Sequence, residues 1–161
     1  MDVLRDVLLV LACVGVGLMA GVFFAYAVGV MPGLARTDDR TFVGAFQEID
    51  RAIVNPLFLT VLVGTLAITV LAGAAHLGEE SRSAVPWILA AAVLYLAAFV
   101  MTVRVNVPLN DAIKAAGDPD QIDVSAARER FSEPTWVRWN IVRTVLTTAA
   151  LACLGVALAV V

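Results

Sequence analysis

An all-α, integral membrane four-helix bundle with short amphipathic capping helices is the fold class that the sequence predicts, on three observations. The 161 residues are 61% apolar and 16% charged, against roughly 45–50% and about 25% in soluble domains. The mean hydropathy is +0.91. Four uncharged runs occupy about half of the chain. Such a composition excludes a disordered chain, and a net charge of -3 offers no basic excess for a nucleic acid. The length fits one domain over residues 1–161.

The first run, Val7 to Met31, holds 25 residues without an Asp, Glu, Lys, Arg or His. About 20 helical residues cross a ~30 Å hydrocarbon core, so this run spans with some tilt. Ala25-Tyr26-Ala27 mimics a signal-peptide cleavage site, but Asp2, Arg5 and Asp6 give no clear positive amino-terminal region and the run exceeds a ~7–15-residue signal core. A retained helix is therefore expected. Pro56–Ala75 and Ala84–Val103 supply 20 uncharged residues each and Thr144–Val161 a further 18. The expected spans are about 7–31, 56–75, 84–103 and 141–161.

The connections sort by charge. Arg36, Arg40 and Arg51 lie between spans one and two, and Arg104, Lys114, Arg128, Arg130, Arg138 and Arg143 between spans three and four, leaving only Arg5 and Arg82 for the other side. The positive-inside rule then places both termini outside and both long connections inside, in an inner or plasma membrane of bacterial type.

Neither inner connection reads as an idle loop. Phe42, Phe46, Ile49 and Ile53 recur at helical spacing after Asp38 and Asp39, which predicts an amphipathic helix leading to span two. Asn55-Pro56 predicts a break, because proline biases its predecessor away from helical angles while Asn caps and Pro fits a first turn. In the second connection a short helix after Pro108 ends near Gly117, a new one starts at Asp123 or Ser125, and Ser132-Glu133-Pro134 offers a cap and restart for a helix through the membrane. Gly17/Gly21 and Gly29/Gly33 form small-xxx-small pairs, read as helix packing.

The chemistry is bounded by what is scarce. His76 is the single histidine, and a surface or interface position is expected for it. No haem pair, three-histidine zinc site or Ser/His/Asp arrangement can be assembled. Cys13 and Cys153 fall inside spans, where a free Cys behaves as a small apolar residue, with a disulfide between them left open. No Cys-x-x-Cys pair or glycine-rich nucleotide loop occurs, so no haem, flavin or transition-metal cofactor is expected.

What remains is a polar and aromatic set at the inner ends of the spans. Asn106 and Asn110 share a helix face if the chain stays helical past Arg104, and Trp136, Asn140 and Arg143 share another at i, i+4 and i+7. Gln47 and Asp50 on the amphipathic helix, with Asn55, can close the same site from a third direction. Singly, each has a plainer role: Trp87, Trp136 and Trp139 suit an aromatic belt, Arg104 and Arg143 suit snorkelling anchors, and Asn55 suits a cap. Collectively, the amides Asn106, Asn110 and Asn140 are unfavourable near lipid unless paired, cavity-lining or wet.

Phe24, Met31-Pro32-Gly33-Leu34, Phe46-Gln47, Asn55-Pro56-Leu57-Phe58, Asn106-Val107-Pro108-Leu109-Asn110 and the run from Trp136 to Arg143 resemble the signature of the anthrone-oxygenase-like family of small four-span membrane proteins. The Asn-x-Pro-Leu-Asn and Trp-x-x-Trp-Asn-x-x-Arg runs are its most specific pieces. The resemblance implies oxidation of anthrones to anthraquinones with O2 and no metal or organic cofactor. It also implies a site at Gln47, Asn55, Asn106, Asn110, Trp136, Asn140 and Arg143.

Side-chain chemistry suggests how such residues divide the work. An anthrone has an acidic CH2 whose anion reacts with O2 unaided, so the protein need only orient it, stabilise the enolate and exclude water. Asp50 is the nearest candidate base, Arg143 supplies positive charge, Asn106, Asn110 and Asn140 hydrogen-bond the oxygens, and Trp136 or Phe46 stacks on the rings. The expected partners are then a lipophilic aromatic molecule, O2 and the bilayer, with homo-oligomerisation left open. A non-enzymatic binding or transport module for a lipophilic small molecule, and an accessory membrane subunit, are the competing readings.

The charge asymmetry generates the first testable expectation. A cysteine placed at residue 118 by Asp118→Cys should resist a membrane-impermeant thiol reagent in intact cells, whereas Arg82→Cys should react; labelling of residue 118 overturns the orientation.

Overall fold

The computed structural model describes residues 2–78 and 82–161, most of them helical, with no strand among them. Helix α1 (Asp2–Ala25) passes through a π-helical turn at Tyr26–Val30 into α2 (Met31–Leu34). Then follow α3 (Asp39–Ile53), α4 (Pro56–Ala75) and α5 (Val85–Met101). A second π turn at Thr102–Asn106 leads into α6 (Val107–Ala115), before α7 (Val124–Phe131) and α8 (Glu133–Ala159). Four helices are long and apolar enough to cross a membrane, and α1, α4, α5 and α8 pack as a ring in which each touches the next and α8 closes onto α1. In lipid a helix satisfies all its own backbone groups, which is why the uncharged runs take this form.

At their carboxyl ends two helices outrun their uncharged stretches, to Leu34 and Ala115 rather than Met31 and Val103. Proline is the reason. Pro32 and Pro108 each lack the N–H of an α-helical bond and press on the carbonyl four residues back, at Val28 and Arg104. Those positions are the centres of the two π turns, where the extra residue per turn makes room for the ring. The proline is thus absorbed and the helix continues.

Asn55-Pro56 does break the chain. Asn55 takes an extended conformation and its Oδ1 accepts from the Phe58 N–H at 3.0 Å, with Pro56 in the first turn of α4. Asp38 caps α3 in the same way, accepting from the Thr41 N–H at 2.9 Å, and the bonds from the Thr41 backbone and hydroxyl hold its carboxyl below the usual range. Asp123 caps α7 through the Ala126 N–H. Ser132 departs from the expected side-chain cap. It adopts a left-handed conformation, φ 53°, and its hydroxyl donates to Thr135 Oγ1 at 2.8 Å, so the restart at Pro134 is made by the backbone bend.

Helices α3, α6 and α7 pack against one another and cover one end of the bundle. Their core is aromatic: Phe42, Phe46 and Phe131 are buried with Trp136, and the Phe46 and Phe131 centroids lie 4.5 Å apart. Arg128 staples this cap by pairing with Asp39 at 3.0 Å and Glu133 at 2.8 Å while lying 4.1 Å above the Phe42 ring. Gln47 is buried in the cap, donating to the carbonyls of Ile113, in the last turn of α6, and Gly117, just beyond it, at 2.8 and 3.0 Å.

The membrane core is built on alanine, with Ala12, Ala72, Ala91, Ala150 and Ala157 buried beside Leu9, Ile88 and Leu154. His76 is fully buried and not at the surface, its Nδ1 2.7 Å from the Ala72 carbonyl. Cys13 and Cys153 are free thiols. Of the expected glycine pairs, Gly17 makes ordinary contact with Leu151, while a methyl at Gly21, Gly29 or Gly33 would meet nothing within 4 Å. The glycine that permits close approach is Gly15, where an added Cβ would fall 2.2 Å from Thr65 Oγ1 on α4.

That contact sets a packing test. Gly15→Ala should destabilise the bundle by ~1–3 kcal/mol in a detergent-titration unfolding assay, the usual cost of overpacking. The loss should shrink in a Thr65→Ala background, giving a coupled double-mutant cycle.

Candidate functional site

Beneath the cap lies a cavity of about 270 Å³, walled by α1, the end of α3, the start of α4, the α5–α6 junction and α8. The sequence spacing explains one wall. Thr102, Asn106, Asn110 and Lys114 all line it at steps of four. In a straight helix of 3.6 residues per turn, steps of four drift by about 40° each. The π turn at Thr102–Asn106 inserts an extra residue and holds these side chains on one face. From α8, Trp136, Asn140 and Arg143 make the opposite wall, and Phe46 and Asp50 close it from α3.

Arg143 is the centre of the polar end, 4% exposed. Its Nη1 donates to Thr102 Oγ1 at 3.1 Å and its Nη2 to Asn140 Oδ1 at 2.9 Å. The Asn140 amide nitrogen in turn donates to the Phe23 carbonyl at 3.0 Å, tying α8 to α1. The guanidinium lies 4.3 Å from the Phe23 ring centroid and 5.5 Å from that of Trp136. Among the described residues no carboxylate pairs with it, and its Nε has no partner. A buried cation held only by neutral dipoles and π faces is a ready acceptor for an anionic ligand oxygen.

Nearer the cap the groups are mutually committed. Asn110 donates to Asp50 Oδ1 at 2.6 Å and its own Oδ1 accepts from Trp136 Nε1 at 2.7 Å. Lys114 Nζ lies 2.7 Å from Asp50 Oδ2 and 3.1 Å from Asp111. Asn106 donates to the Trp136 carbonyl at 3.3 Å, leaving its buried Oδ1 as an unused acceptor on the cavity. The cavity thus offers one cationic donor and one amide acceptor, among the aromatic rings of Phe23, Tyr26, Phe46, Phe58 and Trp136.

Of the residues expected at the site, Phe46, Asp50, Asn106, Asn110, Trp136, Asn140 and Arg143 come together on this cavity. Gln47 and Asn55 do not. Gln47 is spent on the end of α6, and Asn55 caps α4, because each sits against a helix end. Sequence reasoning passed over Phe23, Tyr26, Thr102 and Lys114. The four-residue step through Asn106 and Asn110 extends to Thr102 and Lys114 and could have found both. Nothing in the sequence pattern announces Tyr26, which a π turn rotates onto the Trp136 ring at 5.6 Å.

A protein-family model described as Anthrone oxygenase matches residues 52–153, well over half of the chain. The match takes in α4 through most of α8, hence the wall from Thr102 to Arg143, and stops short of Phe23, Tyr26, Phe46 and Asp50. No curated protein and no solved structure matches the chain significantly.

The unpaired guanidinium separates binding from packing. Arg143→Met should change resistance to unfolding little, since relief of the buried ion's desolvation cost of several kcal/mol offsets the acceptor left open at Asn140 Oδ1. Asn140→Leu, which removes the bond from α8 to the Phe23 carbonyl and the acceptor of a buried Arg143 N–H, should lower stability by ~1–3 kcal/mol. A destabilising Arg143→Met would make the guanidinium a structural strut.

Proposed function

The chain belongs to the anthrone oxygenase family, and we propose that it is a membrane-embedded, cofactor-independent oxygenase that converts a lipophilic, anthrone-like polycyclic aromatic to its quinone. One observation carries this reading: an apolar, aromatic-walled cavity whose polar end is the buried Arg143 guanidinium, with no carboxylate partner among the described residues. Its volume, about 270 Å³, falls just under the ~300–1,000 Å³ of drug-sized ligand pockets and suits one compact ring system.

The chemistry asks for little more. Deprotonation of the ring CH2 gives an enolate whose oxygen Arg143 binds, and whose carbon forms a bond to O2, yielding a hydroperoxide once protonated. Loss of the second C–H proton then breaks the O–O bond, forming the new carbonyl and releasing water. Anthrone and O2 are thereby converted to quinone and water with atoms and electrons balanced. The positioned guanidinium stabilises charge as it develops, in a site from which water is excluded. Asp50 takes the first proton when Lys114, which already reaches Asp111, shifts away from it. Asn106 accepts from a hydroxyl on the ring system, while Asn140 and Thr102 hold Arg143 in place. Trp136 and Phe46, with rings at right angles, support the flat rings.

The same engagement of Asp50 by Asn110 and Lys114 favours a second reading, a binding module for such molecules that performs no proton transfer.

Oxygen uptake decides between them. Purified protein in nanodiscs supplied with anthrone at neutral pH should consume one O2 per quinone formed, above the protein-free rate. Arg143→Met should lower the turnover about tenfold or more, equivalent to ~1.4 kcal/mol of transition-state stabilisation. Uptake equal to the protein-free rate, with anthrone bound, leaves the binding module.

A further inference from the structure

A cavity enclosed by a membrane bundle must be reached from somewhere, and its wall residues differ sharply in exposure. Asn106 and Asn140 are each 1% exposed, whereas Val54, Leu59 and Val107 are 50%, 44% and 40% exposed while lining the same space. These three therefore mark the mouth. Leu59 lies in the first turn of α4, and Val107 opens α6 where the membrane-spanning helix Val85–Ala115 runs on into the cap. The mouth is thus apolar and lateral, on the flank of the bundle just below the cap.

The remaining side of the same opening is charged. Lys114 bridges Asp50 of α3 and Asp111 of α6 at 2.7 and 3.1 Å, tying the cap to α6 one to two turns beyond Val107. A flat apolar molecule crossing on that side would have to part an ion pair. Crossing between Leu59 and Val107, it would exchange lipid contacts for side-chain contacts at little cost in apolar exposure to water. The lipid also holds such a molecule at a far higher concentration than water does.

From this we infer that the cavity is loaded directly from the bilayer, through a lateral mouth between the first turns of α4 and α6, with Leu59 and Val107 setting the size of what passes. The identity of the occupant, a lipophilic polycyclic aromatic, rests on the function proposed above; the location of the mouth rests on the exposure of its residues. Leu59 and Val107 touch no reacting atom in this scheme. They govern passage, and so act on rates of binding and release together.

The test uses anthraquinone dissolved in the lipid of nanodiscs and the emission of Trp136, isolated by Trp87→Phe and Trp139→Phe. Narrowing the mouth with Leu59→Phe plus Val107→Phe should slow both association and dissociation by about tenfold, with the equilibrium affinity within about twofold of the parent. Leu71→Phe, on the exposed flank of α4 away from the cavity, should change neither rate. Unchanged rates in the narrowed variant, with binding intact, overturn the lateral mouth while leaving the proposed function standing. Weaker affinity with unchanged association overturns it too, making the two residues part of the binding wall. Absence of quenching in the parent itself overturns the proposed ligand class, and the inference with it. If the double variant is not monodisperse, Val107→Phe alone is judged by the same outcomes.

Discussion

Holding one guanidinium inside a membrane bundle with no carboxylate paired to it among the described residues is the constraint around which the rest of this structure is arranged. A charge at that depth is tolerated only if its N–H groups meet acceptors and its faces meet polarisable surfaces. Arg143 obtains the acceptors from Thr102 and Asn140 and the surfaces from Phe23 and Trp136. Those groups come from α1, the α5–α6 junction and α8, so three of the four spanning segments are committed to one side chain. The asymmetry this leaves, a positive centre with an unused N–H at one end of a largely apolar space, is what gives the cavity a chemical direction.

The two prolines serve that arrangement indirectly. By forcing π turns at Tyr26–Val30 and Thr102–Asn106, Pro32 and Pro108 change the helical register where the cavity needs it. Tyr26 is rotated onto Trp136, and Thr102, Asn106, Asn110 and Lys114 are kept on one face across more than three turns. Residues that would otherwise shorten two membrane helices thus extend them beyond their uncharged stretches, carrying polar side chains to the end where the cap can enclose them.

The cap completes the enclosure through contacts unlike those of the bundle. In the bundle, alanine and Gly15 allow helices to approach closely, and van der Waals contact does the holding. The cap is held by an aromatic cluster, by Arg128 between Asp39 and Glu133, and by Gln47 on the end of α6. These are interactions suited to the water-facing layer, where ions and amides are cheaply solvated. The cavity lies at the boundary between the two kinds of packing, so it has aromatic, charged and apolar walls at once.

Particular residues show how far the sequence alone reaches. Uncharged runs of 18 to 25 residues determine four spans, because in lipid no other open-chain structure satisfies the backbone. Helical spacing and cap chemistry determine α3, the break at Asn55-Pro56, a helix start at Asp123 or Ser125 and the shared face of Trp136, Asn140 and Arg143, since each depends on neighbours within a turn or two. The tertiary structure decided what depends on partners distant in the chain. Gln47 became a clasp at the end of α6, donating to the Ile113 and Gly117 carbonyls, Asn55 remained a cap, and His76 was buried where the sequence suggested a surface or interface. Lys114 and Tyr26 joined the cavity because π turns altered the periodicity by which faces are read. A helical pattern fixes which residues can point together; whether they meet a ligand space or a carbonyl end is set by the packing of segments a hundred residues apart.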